Sequence, residues 1–225
     1  MVVRRIPRAA PEVVAGLEAA GVATVHEAGA AGILPPEIRP IQQGATVAGS
    51  AVTVACGAGD NLMIHAAVEV LEPGDILVVT TSAPSVHGMF GELLATSVAA
   101  HGCRGLIIDA GVRDTSDLRS MGFPVWARAV NVAGTTKEAA GTVNLPVSLA
   151  GVLVGPGDVV VADDDGVAIV ERLQAEAVLE AARRRLAKEE ATRARLAAGE
   201  LGVDLYGFRR RLEEMGVRWV ENADE

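Results

Sequence analysis

Hydrophobic positions in the first 170 residues follow two different spacings. Apolar residues three and four apart predict helices, and short apolar runs or alternations predict strands. The pattern predicts strands at residues 44–56, 76–80, 105–109 and 125–128, and helices at residues 11–20, 24–31 (after a Thr24 cap), 61–71, 91–101 and 116–121. The order strand, helix, strand, helix, strand over residues 75–128 is typical of right-handed crossover units.

The pattern changes after residue 140. Short strands separated by turns of Pro, Gly and Asp, with no helices between them, are predicted at residues 141–147, 152–154, 158–162 and 166–170. Residues 171–198 contain neither Gly nor Pro and are rich in Ala, Glu and Arg, so one or two long helices are predicted there. We therefore expect an α/β domain with a mixed sheet at residues 1–170 and a C-terminal helical arm at residues 171–225.

A hydrophobic cluster near the end of this arm consists of Leu201, Leu205, Tyr206 and Phe208. A helical arm that carries such a cluster can clasp a neighbouring subunit or pack against its own domain. We favour the clasp, and the pattern leaves both possibilities open.

Composition limits the classes of function. Half of the 225 residues are apolar, which is enough for one sizeable core. The net charge of −9 argues against general nucleic-acid binding, which needs a basic surface. The apolar runs are strand-sized and none follows the charged N-terminus, so we expect no membrane span, no signal peptide and a cytoplasmic location. Cys56 and Cys103 match no metal-ligand spacing and are predicted to be buried, reduced thiols.

Two segments could carry chemistry. SAPSVHGMFGELL, residues 82–94, leads from a flexible turn into a helix, whose first amides at residues 91–94 would be free to bind a carboxylate. LIIDAGVRD, residues 106–114, ends a strand with Arg113, which could bind a carboxylate through two hydrogen bonds, and Asp114, which could bind a divalent cation. A salt-bridged turn is the simpler interpretation of Arg113 and Asp114 taken alone.

One other acidic run has a structural explanation. Three aspartates followed by Gly166 lie between two apolar strands, and the closing Glu of a calcium-binding EF-hand loop is absent. We therefore predict that residues 163–166 form a hairpin turn.

Glu92 is separated from Arg113 by twenty residues, and Asp114 follows at once, which makes an acid-x20-Arg-Asp pattern. With this pattern the chain resembles the RraA-like superfamily and, within it, the 4-hydroxy-4-methyl-2-oxoglutarate/4-carboxy-4-hydroxy-2-oxoadipate aldolases. The resemblance covers nearly the whole chain. Its segments are TVHEA (24–28), IRPI (38–41), GDNLMIHAAVE (59–69), GELLATS (91–97), GLIIDAGVRD (105–114), MGFPVWAR (121–128), VNLPV (143–147) and GDVVVADDDGV (157–167).

This resemblance implies a layered α-β-β-α sandwich of the swivelling-domain type, with a mixed sheet and a C-terminal helical arm. It also implies a pyruvate site between subunits of a homotrimer or homohexamer, with Mg²⁺ or Mn²⁺ held by Asp114, mostly through waters. Relatives often have Asp where this chain has Glu92, a position that would orient metal-bound water. The implied site residues are Gly91, Glu92, Leu93, Leu94, Arg113 and Asp114, with Glu27 or Glu189 as an acid from the neighbouring subunit.

The function implied is a metal-dependent (class II) pyruvate aldolase of bacterial aromatic catabolism. It would cleave one or both of these 4-hydroxy-2-oxo acids to pyruvate plus pyruvate or oxaloacetate, and would decarboxylate oxaloacetate through the same enolate. A metal fits better than a lysine imine, because the only two lysines lie in a polar turn (Lys137) and in a charged helix (Lys188). The alternatives are a protein-binding regulator of ribonuclease E and a dedicated oxaloacetate decarboxylase. The long arm favours the aldolase branch over the regulator.

Overall fold

The computed structural model describes residues 1–222. Its helices are α1 (Pro11–Ala20), α2 (Val22–Glu27), α3 (Leu62–Ala67), α4 (Glu92–Ala100), α5 (Thr115–Ser120), α6 (Ala175–Ala197), α7 (Gly202–Leu205) and α8 (Phe208–Glu214). Its strands are β1 (Gly32–Ile33), β2 (Arg39–Pro40), β3 (Val47–Cys56), β4 (Asp75–Thr81), β5 (Gly88–Phe90), β6 (Gly105–Val112), β7 (Val125–Val130), β8 (Thr142–Val143), β9 (Val147–Leu149), β10 (Val152–Val154), β11 (Val159–Asp163) and β12 (Gly166–Val170). Short 3₁₀ turns cover Val68–Val70 and Arg172–Gln174.

Ten of the twelve strands in residues 1–222 form one large mixed sheet, whose main path runs in the order β1-β12-β11-β3-β4-β6-β7-β2. Strands β3, β4, β6 and β7 are parallel, as the crossover pattern predicts. Strand β11 pairs antiparallel with both β3 and β12, so the second half of the sheet is built from a hairpin. Strand β5 adds to β6, β8 adds to β3, and β9 and β10 form a separate hairpin.

The long strand β3 shows how the sheet is layered. Val52 and Val54 point to the face that is covered by α3, α4 and α5, whereas Ala51 points to an inner cluster between the two halves of the curled sheet. Ala48 packs with the helices that cover the other half, α1, α2 and α6. Helices therefore lie outside both halves of a curled mixed sheet. The expected α-β-β-α fold with a C-terminal helix is confirmed.

Helix α2 begins earlier than its sequence pattern predicts, and Thr24 is not its cap. The amide of Val22 donates a hydrogen bond of 2.9 Å to the carboxylate of Asp163, which lies 141 residues further along the chain. Asp163 belongs to the β11–β12 hairpin, whose predicted turn is confirmed. Because the capping group lies so far away in the sequence, no local pattern indicates it, and the predicted cap at Thr24 is wrong.

The two cysteines behave as expected. Cys56 and Cys103 are buried and free. Burial raises the pKa of the Cys56 thiol to about 12 and that of the Cys103 thiol to about 11, so both stay protonated near neutral pH.

The chain divides into two compact units, Met1–Arg183 and Arg184–Glu225, and the second is described as far as residue 222. Within the second unit, the Arg209 guanidinium bonds to the Asp204 carboxylate and lies 5.8 Å from the centre of the Trp219 ring. Its exposed apolar side chains include Leu201, Tyr206, Phe208, Met215 and Trp219. Across residues 1–222, no helix is both long enough and apolar enough to pass through a lipid bilayer.

The assigned cap of α2 can be tested by its contribution to stability. We expect Asp163→Ala to lower the free energy of unfolding by about 1 kcal/mol, the usual value of a helix cap, in urea unfolding followed by circular dichroism. Asp165→Ala removes an exposed carboxylate from the same turn and is the matched control, with an expected change below about 0.5 kcal/mol. Equal losses in the two variants would contradict the cap.

Candidate functional site

A cleft of about 130 Å³ opens where the carboxyl end of β6 meets the first turn of α4. Ligands in open α/β sheets collect at the carboxyl ends of strands, so the location is the expected one. The two segments selected from the sequence meet here. The residues that line the cleft are Asn61, His65, Gly88, Met89, Gly91, Leu93, Leu94, Arg113, Asp114 and Lys137.

Two glycines make this meeting possible. A Cβ atom on Gly91 would collide with the Asp114 carboxylate and crowd Arg113, and one on Gly88 would collide with the Asn131 carbonyl oxygen and press against Arg113. Because neither position has a side chain, the turn after β6 packs directly against the backbone before α4. The amide of Arg113 donates a hydrogen bond of 2.9 Å to the Phe90 carbonyl oxygen, which ties the two segments together.

The amides of residues 91–94 are predicted to be free for a ligand, and this is only partly so. The amide of Glu92 donates a hydrogen bond of 3.2 Å to Oδ2 of Asp114, so it is not free for a ligand. The amides of Leu93 and Leu94 donate to no acceptor in the described part of the chain, and both residues line the cleft. Two amides at the positive end of this helix are therefore available for an anion.

The Glu92 side chain lies beside the cleft rather than in it. Its Oε1 accepts a hydrogen bond of 2.8 Å from the Thr96 hydroxyl, and the residue lines a separate shallow depression with Asp117, Ser120 and Met121.

Arg113 and Asp114 form a loose ion pair at the end of β6. Their closest approach, from Nε to Oδ2, is 3.6 Å, which is long for a hydrogen bond. The Arg113 guanidinium makes no hydrogen bond within residues 1–222 and is half-exposed, so its donors are available to a ligand. Asp114 has a φ of 55° and a ψ of 37°, a left-handed conformation that non-glycine residues seldom adopt and that is common at functional sites.

Asn61 adds a group that the sequence analysis did not select. Its Nδ2 donates a hydrogen bond of 2.9 Å to the Met89 carbonyl oxygen, which fixes the orientation of the amide. Its Oδ1 is buried and accepts no hydrogen bond from residues 1–222, although the side chain lines the cleft. An unpaired buried carbonyl is uncommon and points to a donor or cation supplied by a ligand.

Lys137 is a second cleft residue that no local sequence pattern selects. The polar turn around it gave no reason to place it near the reacting groups, yet it lines the cleft with Arg113. His65, on α3, lines the same cleft. Burial lowers the pKa of His65, and the positive charge of Lys137 lowers it further. No spacing rule connects these residues, because a loop without regular structure carries Lys137 to the cleft.

Neither of the two acids expected from a neighbouring subunit is among the residues that line the cleft. Glu27 ends α2 and does not line the cleft. Glu189 belongs to the second unit, where its Oε1 lies 2.7 Å from Nε of Arg185. The described residues contain no cluster of three His, Cys, Asp or Glu side chains that could hold a metal ion. The cleft itself offers the Asp114 carboxylate and Oδ1 of Asn61 as oxygen ligands.

A larger groove of about 530 Å³ is a weaker candidate. Its wall includes the exposed side chains of Leu153 and Leu173 together with Asp158. The Asp158 carboxylate accepts hydrogen bonds from the amides of Gly155 and Arg172, so it closes turns of the fold. The smaller cleft has the unpaired polar groups and is the candidate active site.

Comparison with known proteins confirms the family that the sequence resembles. A family model described as RraA-like, Aldolase/RraA, matches residues 20–169. A relative from Halalkalibacterium halodurans, named "Putative 4-hydroxy-4-methyl-2-oxoglutarate aldolase", is 30% identical over 173 residues, which cover 77% of this chain and 82% of the relative.

Two solved structures have the same fold. One, an uncharacterized protein from Pseudomonas syringae pv. tomato, superposes with a TM-score of 0.79 at 22% identity and covers 88% of this chain and 93% of its own. The other is Streptomyces coelicolor RraAS2, described as an unusual member of the RNase ES inhibitor RraA protein family. Its TM-score is 0.73 at 28% identity, over 84% of this chain and 100% of its own. The chain belongs to the RraA-like family.

Proposed function

We propose that this protein is a carbon–carbon lyase that cleaves a 4-hydroxy-2-oxo acid to pyruvate. The substrates proposed are 4-hydroxy-4-methyl-2-oxoglutarate, which would yield two pyruvates, and 4-carboxy-4-hydroxy-2-oxoadipate, which would yield pyruvate and oxaloacetate. The observation that carries the proposal is the meeting of free Arg113 donors with the unpaired amides of Leu93 and Leu94 in one small cleft. The aldolase name of the relative from H. halodurans supports a lyase in general terms.

The cleft has the charge that an oxo acid requires. The protein carries a net charge of −9, but Arg113 and Lys137 place two cationic side chains in this cleft. A substrate carboxylate can accept hydrogen bonds from the amides at the start of α4 while one of these side chains neutralises its charge. The free volume of about 130 Å³ holds roughly four water molecules, which suits the three-carbon end of the substrate.

The chemistry follows from where negative charge develops. Removal of the proton from the C4 hydroxyl lets the C3–C4 bond break, which leaves its electron pair on the pyruvate fragment as an enolate. Arg113 can stabilise the negative enolate oxygen through hydrogen bonds that strengthen as the charge forms. Protonation of C3 then gives pyruvate. Decarboxylation of oxaloacetate passes through the same enolate and is proposed as a side activity.

A divalent cation is part of the proposal. Mg²⁺ prefers oxygen ligands and keeps several waters when a protein supplies few side chains, and Asp114 and the unpaired Oδ1 of Asn61 fit such a site. Mg²⁺ or Mn²⁺ would supply Lewis-acid stabilisation of the charge on the 2-oxo oxygen. Lys137 is exposed and so lacks the desolvation that commonly activates an imine-forming lysine, and its proposed role is to bind the substrate carboxylate.

The proton acceptor for the C4 hydroxyl is proposed to come from outside the cleft. Glu27 and Glu189 are the candidates, each contributed by a neighbouring subunit of a homotrimer or homohexamer. The exposed apolar side chains of the second unit support an assembly, because such residues are typical of interaction surfaces.

A second candidate function has one observation in its favour. RraAS2, which shares this fold at 28% identity, is described as a member of a ribonuclease inhibitor family. A regulator acts by binding a protein and needs no free donors in a cleft. The unpaired amides of Leu93 and Leu94 and the Arg113 guanidinium, which makes no hydrogen bond, therefore favour the enzyme.

The role of Arg113 predicts a large kinetic effect. We expect Arg113→Ala to lower kcat/KM for pyruvate release by about 10²-fold or more, because it removes donors that stabilise the developing negative charge. Arg119→Ala, an exposed arginine on α5, is the matched control and should keep wild-type turnover. Both are measured with lactate dehydrogenase and NADH. Wild-type kinetics in the Arg113 variant would contradict the assignment.

The substrate and metal are tested together. We expect pyruvate release from one or both 4-hydroxy-2-oxo acids, slower release from oxaloacetate, and loss of activity with EDTA that added Mg²⁺ or Mn²⁺ restores. Turnover of oxaloacetate alone would identify a dedicated decarboxylase instead.

Borohydride with pyruvate should leave no adduct, and a mass increase on Lys137 would contradict the metal chemistry. No turnover together with binding to ribonuclease E would favour the regulator.

The proposed assembly makes a prediction for the arm. Deleting residues 200–225 removes Tyr206, Phe208 and Trp219, so we expect a smaller assembly in size-exclusion chromatography with light scattering. Arg193→Ala, which changes an exposed charge in α6, is the control. An unchanged mass after the deletion would rule out the clasp.

A further inference from the structure

We propose that Asp60, a buried carboxylate outside the cleft, is a positioning residue that holds Lys137 in the cleft wall. Its structural part is independent of the reaction, and its kinetic part rests on the proposed function. Asp60 does not line the cleft, and no step of the proposed chemistry uses it.

The Asp60 carboxylate binds the loop on both sides of Lys137. Its Oδ2 accepts hydrogen bonds of 2.7 Å from the Thr136 hydroxyl, 2.6 Å from the Glu138 amide and 3.1 Å from the Ala139 amide. Three donors from residues 136–139 therefore converge on one oxygen atom. Lys137 lies between them, and its side chain is exposed at the cleft.

The same carboxylate also begins α3. Its Oδ1 accepts a hydrogen bond of 2.9 Å from the Leu62 amide, in the first turn of the helix that carries His65. One side chain thus joins the Lys137 loop to the element that supplies Asn61 and His65. The distance between these two walls of the cleft depends on this junction.

The loop has few other supports near Lys137. Residues 131–141 contain no helix or extended strand. Bonds at Asn131, Ala133 and Gly141 tie the two ends of this segment to the fold. Next to Lys137, the backbone is tied by the bonds from the Asn61 amide to the Thr136 oxygen and from the Thr136 amide to the Gly59 oxygen. Both bonds end at residue 136. Beyond Thr136, the Glu138 and Ala139 amides depend on Asp60.

Four hydrogen bonds converge on the Asp60 carboxylate. Burial by itself would raise the pKa of this carboxyl group, but the hydrogen bonds from Glu138, Leu62, Thr136 and Ala139 outweigh burial and hold the pKa well below its usual range. Hydrogen bonds to an ionised acceptor are about twice as strong as neutral ones. The carboxylate therefore holds the loop more firmly than a neutral side chain of the same shape would.

The pKa of His65 depends on the position of the Lys137 ammonium group. Because Lys137 contributes to the lowered pKa of His65, moving its ammonium group away should raise that pKa. Loss of the negative charge on Asp60 would by itself change the pKa of His65 in the opposite direction, since removing an anion lowers the pKa of a nearby histidine. The direction of the change therefore separates loss of positioning from loss of charge.

The test compares Asp60→Asn, Lys137→Met and their combination with the wild-type protein. The pKa of His65 is followed by NMR titration, with its signal assigned from a His65→Gln spectrum. We expect both single variants to raise the pKa and the double variant to raise it no further than Lys137→Met alone. Asp165→Asn, an exposed acid in another turn, is the control and should leave the pKa unchanged.

Kinetics provide a second readout. If Lys137 binds the substrate carboxylate equally in the ground and transition states, both single variants should raise KM roughly 10-fold and change kcat by less than about 3-fold. A general loss of structure would lower the active fraction, and therefore kcat, without this pattern.

Several outcomes would overturn the inference. An unchanged or lowered His65 pKa in Asp60→Asn, with a raised one in Lys137→Met, contradicts positioning by Asp60. An unchanged pKa in Lys137→Met contradicts the placement of Lys137. Should Asp60→Asn not fold, Thr136→Val removes one of the three loop donors and must still raise the pKa. An inactive wild-type enzyme would refute the proposed lyase but leave the NMR comparison decisive.

Discussion

The approach of the Asp114 carboxylate to the backbone at Gly91 is the constraint on which the cleft depends. The turn after β6 and the start of α4 come together only because position 91 has no Cβ atom. Position 88 also has no Cβ atom, which would otherwise meet the Asn131 carbonyl oxygen and the aliphatic part of Arg113. The approach also lets the Asp114 carboxylate accept the Glu92 amide while the next two amides of the helix remain without an acceptor.

Polar groups behind the cleft have their hydrogen bonds satisfied, whereas some of the groups that line it do not. Asp60 has a donor for each carboxylate oxygen and serves the scaffold. In the described chain, the Arg113 guanidinium makes no hydrogen bond and only a loose ion pair with Asp114, and the buried Oδ1 of Asn61 accepts no hydrogen bond. Polar groups that face a cleft without a partner in the protein are what a binding site provides for its ligand. The hydrogen-bond donors of Arg113 support the proposed anionic substrate, and the acceptor Oδ1 of Asn61 supports the proposed cation.

Local patterns were informative where an interaction lies within one element or between neighbours in sequence. The parallel strands around β6 follow from alternating strand and helix patterns, and the Arg113–Asp114 pair follows from its place at the end of an apolar strand. The hairpin at residues 163–166 follows from three aspartates and a glycine between apolar strands. In each case the physical cause, a repeat of hydrophobic positions or a turn-forming residue, is contained in a few consecutive residues.

The other features depend on contacts between distant segments. The cap of α2 comes from Asp163, and Lys137 reaches the cleft because its loop is bound to Asp60, 77 residues earlier in the chain. Asn61 has an unpaired oxygen only because the Met89 carbonyl fixes the other end of its amide.

The sequence by itself determined the fold class and the pair of segments that meet at the cleft, because periodic burial and strand-end chemistry are local properties. Only the tertiary structure decided which further polar groups join them, because a hydrogen bond between remote segments forms after the chain has folded and leaves no periodic trace in the sequence.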